Sequence, residues 1–226
     1  MKKTMMLIMV AVVGIAAADV DVDALKAALE RVADKEAQYR IANCYADGKV
    51  VVKDEAEAFK WYRKAAEQGH ADAQECLAKC YYYGKGVAKD RKQAADWFLR
   101  AAAQGQLPAM NNIGSCYLDG DGVPKDEAEA ARWYRKAAER GFTPSQNNLG
   151  VCYLQGTGVK EDHAEAFKWF RKSAEAGCSY GELNLGECYF RGTGVKKDEA
   201  EAVKWYRKAA AQGVAEAKAK LRKLGK

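Results

Sequence analysis

The chain has 226 residues, 49% of them hydrophobic and 30% charged, and its 37 basic and 31 acidic side chains leave a formal charge of +6. That is enough length for one large or two ordinary domains and enough apolar side chain for a substantial core, while a composition rich in Ala, Lys and Glu with three prolines favours helices. Without Lys2 and Lys3 the balance is 35 basic against 31 acidic, and the Lys/Arg pairs recur at intervals (Arg63-Lys64, Arg207-Lys208) instead of pooling, which argues against nucleic acid as a partner.

The first element is residues 1–18. A paired-lysine start, an apolar run from Thr4 to Ile15 and Ala16-Ala17-Ala18 before Asp19 form the succession of a bacterial secretory signal peptide. The run is too short for a bilayer span of ~20 residues, so cleavage and no stable membrane insertion are expected, with the mature protein periplasmic or secreted. Residues 19–35 are read as an N-terminal capping helix. Within them, residues 22–33 form a degenerate copy of a later helix, with Leu25 standing 36 positions before Trp61.

From 36 to 214 one register rules the chain. Trp61, Trp97, Trp133, Trp169 and Trp205 are 36 residues apart, and so are Tyr45, Tyr81, Tyr117, Tyr153 and Tyr189. The columns Gly69 to Gly213 and Asp54 to Asp198 keep the same spacing. Five such agreements define five repeats. Each predicts a first helix, a Gly-x-Gly-Val turn, and a second helix capped by the Asp, with Glu or Gln three positions on in a capping-box arrangement (Asp126/Glu129, Asp162/Glu165). Gly114, Gly150 and Gly186 predict close approach of the paired helices, with Trp and Tyr filling the rest of the interface. Residues 215–226 continue the first-helix pattern through Leu221 and Leu224 and read as a C-terminal capping half repeat.

The series Asn-Leu-Gly-x-x-Tyr-x-x-Gly-x-Gly-Val-x-x-Asp…Ala-x-x-Trp…Ala-Ala…Gly, whole from Asn148 to Gly177, resembles the Sel-1-like repeat family, relatives of the tetratricopeptide (TPR) repeats. The resemblance covers residues 36–214; the first copy departs from it with Val50 in place of the second turn glycine. It implies an all-α fold, a right-handed α-solenoid of five antiparallel helix-pair repeats with capping helices, serving as an adaptor or scaffold.

Residues that could support catalysis are few. His70 and His163 occupy different columns and are read as solvated surface side chains. No Ser opens a Ser-x-x-Lys motif; Thr157/Lys160 and Thr193/Lys196 recur with the repeat turns. Asp119-Gly120-Asp121-Gly122 lacks the spacing of a calcium loop and is read as a turn. Cys44, Cys80, Cys116, Cys152 and Cys188 form a column shared by Leu224 and are expected to be buried, reduced thiols. Equivalent helices ~8–10 Å apart cannot be bridged by a bond that needs Cα atoms within about 7 Å. No cofactor or metal is expected. A hydrolase acting on cell-wall material is the alternative, without a catalytic constellation to support it.

Binding is expected on the concave face, where positions are free to differ among copies. By analogy with TPR geometry these columns hold Tyr39, Glu75, Asn111, Asn147 and Leu183; Asn43, Lys79, Ser115, Val151 and Glu187; Ala46, Tyr82, Leu118, Leu154 and Phe190; and Asp47, Tyr83, Asp119, Gln155 and Arg191. Beside them Asn112, Asn148 and Asn184 share one register, either to hold a peptide backbone or to satisfy local groups. The large apolar members are read either as anchors for a partner or as packing between repeats. The expected partner is a protein or peptide, bound by a monomer.

Overall fold

The computed structural model describes residues 33–48 and 51–226. Residues 1–18, read above as a signal peptide, residues 19–32 of the expected N-terminal cap, and Lys49 and Val50 lie outside them. Among the described residues the secondary structure is helical, eleven α-helices without a strand. They pair as α1 (Lys35–Asp47) with α2 (Glu55–Glu67), α3 (Ala71–Tyr83) with α4 (Arg91–Ala103), α5 (Leu107–Asp119) with α6 (Glu127–Glu139), α7 (Thr143–Gln155) with α8 (His163–Glu175), and α9 (Ser179–Arg191) with α10 (Glu199–Ala211); α11 (Ala215–Lys223) follows. The chain divides into two units, one up to Ala109 and one from Met110. Asp34 caps α1 from outside and Lys35 opens it, so the first repeat begins inside the segment read from sequence as a cap.

The Asp column starts the second helices as expected. Asp54 accepts from the N–H groups of Ala56 and Glu57 at 3.0 Å, and Asp90, Asp126, Asp162 and Asp198 accept from the residue three positions on. The reciprocal half of the capping box is replaced. Each Asp donates its own N–H to the carbonyl of the Tyr column, Asp54 to Tyr45 and so on to Asp198 and Tyr189, at 2.8–3.0 Å. A carbonyl in the last turn of a helix has no intrahelical partner, so one bond satisfies both groups and closes the hairpin. The acidic residue at the third position turns instead to a cation one turn along, as in Glu57–Lys60, Glu129–Arg132, Glu165–Lys168 and Glu201–Lys204.

Repeats within a unit are held at the turns. Gly158 has φ 68°, and a Cβ there would collide with the carbonyl of Glu127, so the fourth turn lies directly on the start of α6. A side chain would break that contact as well as strain the backbone.

The core repeats with the same register. Ile41, Leu77, Ile113, Leu149 and Leu185 on the first helices are fully buried. On the second helices the buried ring is not the Trp but its neighbour: Tyr62, Phe98, Tyr134, Phe170 and Tyr206 are 0–6% exposed. Gly150 lies beneath Phe170, where a Cβ would come within 2.7 Å of ring carbons. Except for Trp61, the tryptophans are half-buried. Three of them pack on clusters shared with the preceding repeat, Trp97 on that of Tyr62 and Leu77, Trp169 on that of Tyr134 and Leu149, Trp205 on that of Phe170 and Leu185. A Lys or Arg three residues later covers each ring at 3.9–4.6 Å. Beyond α10, Leu221 and Leu224 pack against the cluster of Leu183 and Tyr206.

All seven cysteines are free. Cys80, Cys116, Cys152 and Cys188 are buried, whereas Cys44 is only half-buried and departs from the expectation for its column. Burial pushes the thiols of Cys80 and Cys152 up to about 11 and that of Cys188 to about 12.

Candidate functional site

In the unit up to Ala109, most candidate residues are engaged. Asn43 accepts through Oδ1 from the Tyr62 hydroxyl at 2.7 Å. The Tyr39 ring lies 4.5 Å from that of His70 and 6.1 Å from that of Tyr62. His70 itself overturns its reading as a solvated side chain, being 8% exposed. Its Nδ1 accepts from the N–H of Ala73 and caps α3, and its Nε2 is 3.0 Å from Glu36. The reason is positional: the junction residue precedes a helix, and an imidazole nitrogen can accept there, whereas Phe142, Cys178 and Val214 make no such cap. His163 is exposed and 2.9 Å from Glu161, as a solvated side chain should be. Tyr82 is half-buried, with the Arg91 guanidinium 3.6 Å from its ring centroid and Tyr83 edge-on at 5.0 Å. Tyr83, 57% exposed, projects from the surface.

In the unit from Met110, the first helices α5, α7 and α9 carry an amide ladder. Asn111 Oδ1 accepts from Asn148 Nδ2 at 3.0 Å and from the buried hydroxyl of Ser145 at 2.9 Å. One repeat further, Asn147 Oδ1 accepts from Asn184 Nδ2 at 2.8 Å. The two asparagine columns, separate in sequence, therefore meet between helices. Asn112 stands at the register of Asn148 and Asn184 and is half-buried. The two bonds fill the lone pairs of Asn111 Oδ1, while each carboxamide keeps N–H donors that the ladder does not use.

Leu118, Leu154 and Phe190 are half-buried beside this ladder. Leu118 packs on the cluster of Tyr134, Leu154 on that of Phe170, Phe190 on that of Tyr206. They are thus partly the packing that the sequence reading held as the other possibility, and the surface they leave is an apolar edge rather than a row of free anchors.

One relationship was missed. The hydroxyl of each buried tyrosine is bound by the first helix: Tyr62 by Asn43, Tyr134 by Ser115 at 3.0 Å, Tyr206 by Glu187 at 2.6 Å. Where the ring is Phe98 or Phe170, the matching residue is Lys79 or Val151, with no phenol to satisfy. A buried hydroxyl needs a partner, and this pairing of columns was legible in the sequence. Part of the variation ascribed to ligand choice is therefore internal.

Glu187 also takes Lys220 at 2.8 Å and Arg191. Burial raises its carboxyl, but the bonds from Lys220, Tyr206 and Arg191 outweigh that and hold it below the usual range. Among the described residues no cluster of His, Cys, Asp and Glu could hold a metal, and no helix is long and apolar enough to cross a membrane.

A chain of paired 13-residue helices in a strict 36-residue register, with a side-chain ladder between first helices, defines a helical-repeat protein. Residues 35–70, 71–106, 107–142, 143–178 and 179–214 each match the Sel1 repeat, and the chain belongs to the Sel1 repeat family. A Sel1 repeat protein from Oxalobacter formigenes is 37% identical, with a TM-score of 0.78 over 83% of this chain and 77% of that one. A protective antigen present in uropathogenic Escherichia coli strains, displaying an SLR fold, is 38% identical with a TM-score of 0.77 over 86% of this chain; the match spans 42% of the antigen's length. An immunity protein from Pseudomonas aeruginosa, 24% identical over 81% of this chain and 66% of its own with a TM-score of 0.55, shares the fold alone. Among curated proteins none matches the chain. The fold is the α-solenoid of Sel1 helix pairs, and Sel1 repeats generally serve as non-catalytic scaffolds for protein interaction.

Proposed function

We propose that the protein is an exported, non-catalytic scaffold that binds a protein or peptide through the face formed by its first helices. The observation that carries the reading is the ladder of Asn111, Asn148, Asn147 and Asn184, flanked by Leu118, Leu154 and Phe190. Carboxamides with spare N–H donors suit a peptide backbone, and an apolar edge suits the side chains on either side of it. Asn112 extends the column; in the unit up to Ala109, taken by itself, Tyr83 is an exposed aromatic. Aromatic side chains frequently anchor protein interfaces. Export rests on the charged, apolar and small-residue succession of residues 1–18, and the mature chain is expected to begin at Asp19 in the periplasm or medium.

Site-directed photo-crosslinking tests this in a Gram-negative host. A crosslinker at position 154 should trap a discrete exported protein, and one at Lys168, on a second helix, should not. Equal adducts at both positions, or none at 154, would contradict the assignment. Intact mass of the exported material reads the processing site separately.

A further inference from the structure

The column Ala46, Tyr82, Leu118, Leu154 and Phe190 holds one small residue among four large ones. The large members show what that position touches. Tyr82 packs on Phe98 and under Arg91; Leu118 packs on the cluster of Ala130, Tyr134 and Cys152; Phe190 packs on that of Ala202 and Tyr206, with Lys197 5.6 Å from its ring. Moved to the first repeat, those neighbours become Tyr62, Glu55, Ala58, Cys80 and Lys53. A cavity of about 150 Å³ is lined by those five residues together with Ala46, Cys76, Lys79 and Lys85. The first repeat therefore keeps, as an open socket, the space that each other repeat fills with its own aromatic or leucine side chain.

Size and charge define what such a socket takes. A cavity of ~150 Å³ with an apolar lining accepts one benzene-sized ring. The rim carries Lys53, Lys79 and Lys85 against the single carboxylate of Glu55. Lys53 pairs with Glu55 and Lys79 with Glu75 from outside the lining, both lysines being half-exposed. Lys53 has the register of Lys197, which lies over the ring of Phe190. A ring entering here meets cations at the place where the chain puts one over its own aromatic.

We propose that this socket between α1, α2 and α3 is a binding site for a single aromatic ring lying beside a carboxylate. The socket shares the Ala46 column with the first-helix face, but the inference does not rest on the carboxamide ladder. A free arylalkanoate and a Phe or Tyr flanked by acidic residues on a protein both present such a ring, so both are used as probes.

The full chain is titrated with phenylacetate, with benzylamine as the ring of opposite charge, and with the peptide acetyl-Asp-Phe-Asp-amide, followed by saturation-transfer NMR. Phenylacetate should bind at least fivefold more tightly than benzylamine, and Ala46→Phe should weaken it at least tenfold by filling the socket from within. The same substitution should raise the melting temperature by about 2–4 °C, the shift expected from roughly 1 kcal/mol in a chain of this size. If Ala46→Phe does not fold, Ala46→Leu, which copies Leu118 and Leu154, carries the same comparison. Tighter binding of the peptide than of phenylacetate assigns the ring to a protein, and the reverse assigns it to a free acid. No binding of either, equal binding of benzylamine, or binding undiminished in the filled variants would overturn the proposal.

Discussion

Gln104 donates from Nε2 to Oε1 of Gln74, 2.7 Å away, and ties the end of α4 back to the start of α3. Gln68 does the same to Gln38 at 2.8 Å, and Gln212 to Glu182 at 2.8 Å. In the fourth repeat the donor position is Ala176, and Gln146 Oε1 is buried without a partner among the described residues.

An unmade bond to a buried acceptor costs ~1–3 kcal/mol, and restoring it returns part of that. Ala176→Gln should therefore stabilise the chain by about 1 kcal/mol. Chemical denaturation reads the shift in midpoint at unchanged slope, and an unchanged or lower midpoint would show that water already satisfies Gln146.

A compensating pair joins this repeat to the fifth. Ser173 stands where other repeats have Ala, and Gly181 stands where they have Ala or Ser. A Cβ on Gly181 would lie 2.7 Å from Ser173 Cβ, while Ser173 Oγ donates to the Thr143 carbonyl at 2.9 Å. Overfilling a packed site costs ~1–3 kcal/mol. Gly181→Ala should show that loss alone and less of it in a Ser173→Ala background, so a double-mutant cycle should give a coupling of at least ~0.5 kcal/mol. Additive effects would mean that the small residues arose independently.

Much of this was legible before the structure. The 36-residue register fixes the helix pairs, and Asp and Gly columns mark their starts and stops. The Trp column is conspicuous but is not the most buried one: Ala130, Tyr134 and Ala137 hold the centre of the i, i+4, i+7 stripe, and Trp133 stands at its edge, half-buried. The capping box was half right because a sequence pattern treats a helix alone, and the Tyr carbonyl of the neighbouring helix competes for the same N–H. The Asn ladder joins residues 37 apart on different helices, a contact that the 36-residue register does not itself predict.

The two aromatic columns should separate on truncation. Phe170 is fully buried over Gly150, so Phe170→Ala should cost ~3–5 kcal/mol. Trp169, half-buried at its repeat junction, should cost less when changed to Ala. Thermal melts of the two variants check the order, and a larger loss for Trp169→Ala would place the main core between repeats rather than within them.

Glu187 gives a pH dependence of definite sign. Its folded pKa is depressed, so its contribution is complete above the unfolded carboxylate value of ~4.3 and is lost as pH falls through the folded value. Glu182 acts oppositely, since burial raises its carboxyl and its contribution grows on acidification. Glu187→Gln should be less stable than wild type at pH 7, and the gap should close towards pH 3. A gap constant from pH 7 to pH 3 would contradict the assigned ion pairs.

We propose that the carboxamide ladder recognises a partner as well as joining repeats. Asn148→Ala with Asn184→Ala removes both ladder donors. The decisive measurement is the affinity of this double variant for the partner trapped at position 154, taken beside its thermal melt. A binding role predicts cooperative unfolding with affinity reduced at least tenfold, about 1.4 kcal/mol. A lowered melting temperature with undiminished affinity would show that the asparagines only hold the helices together.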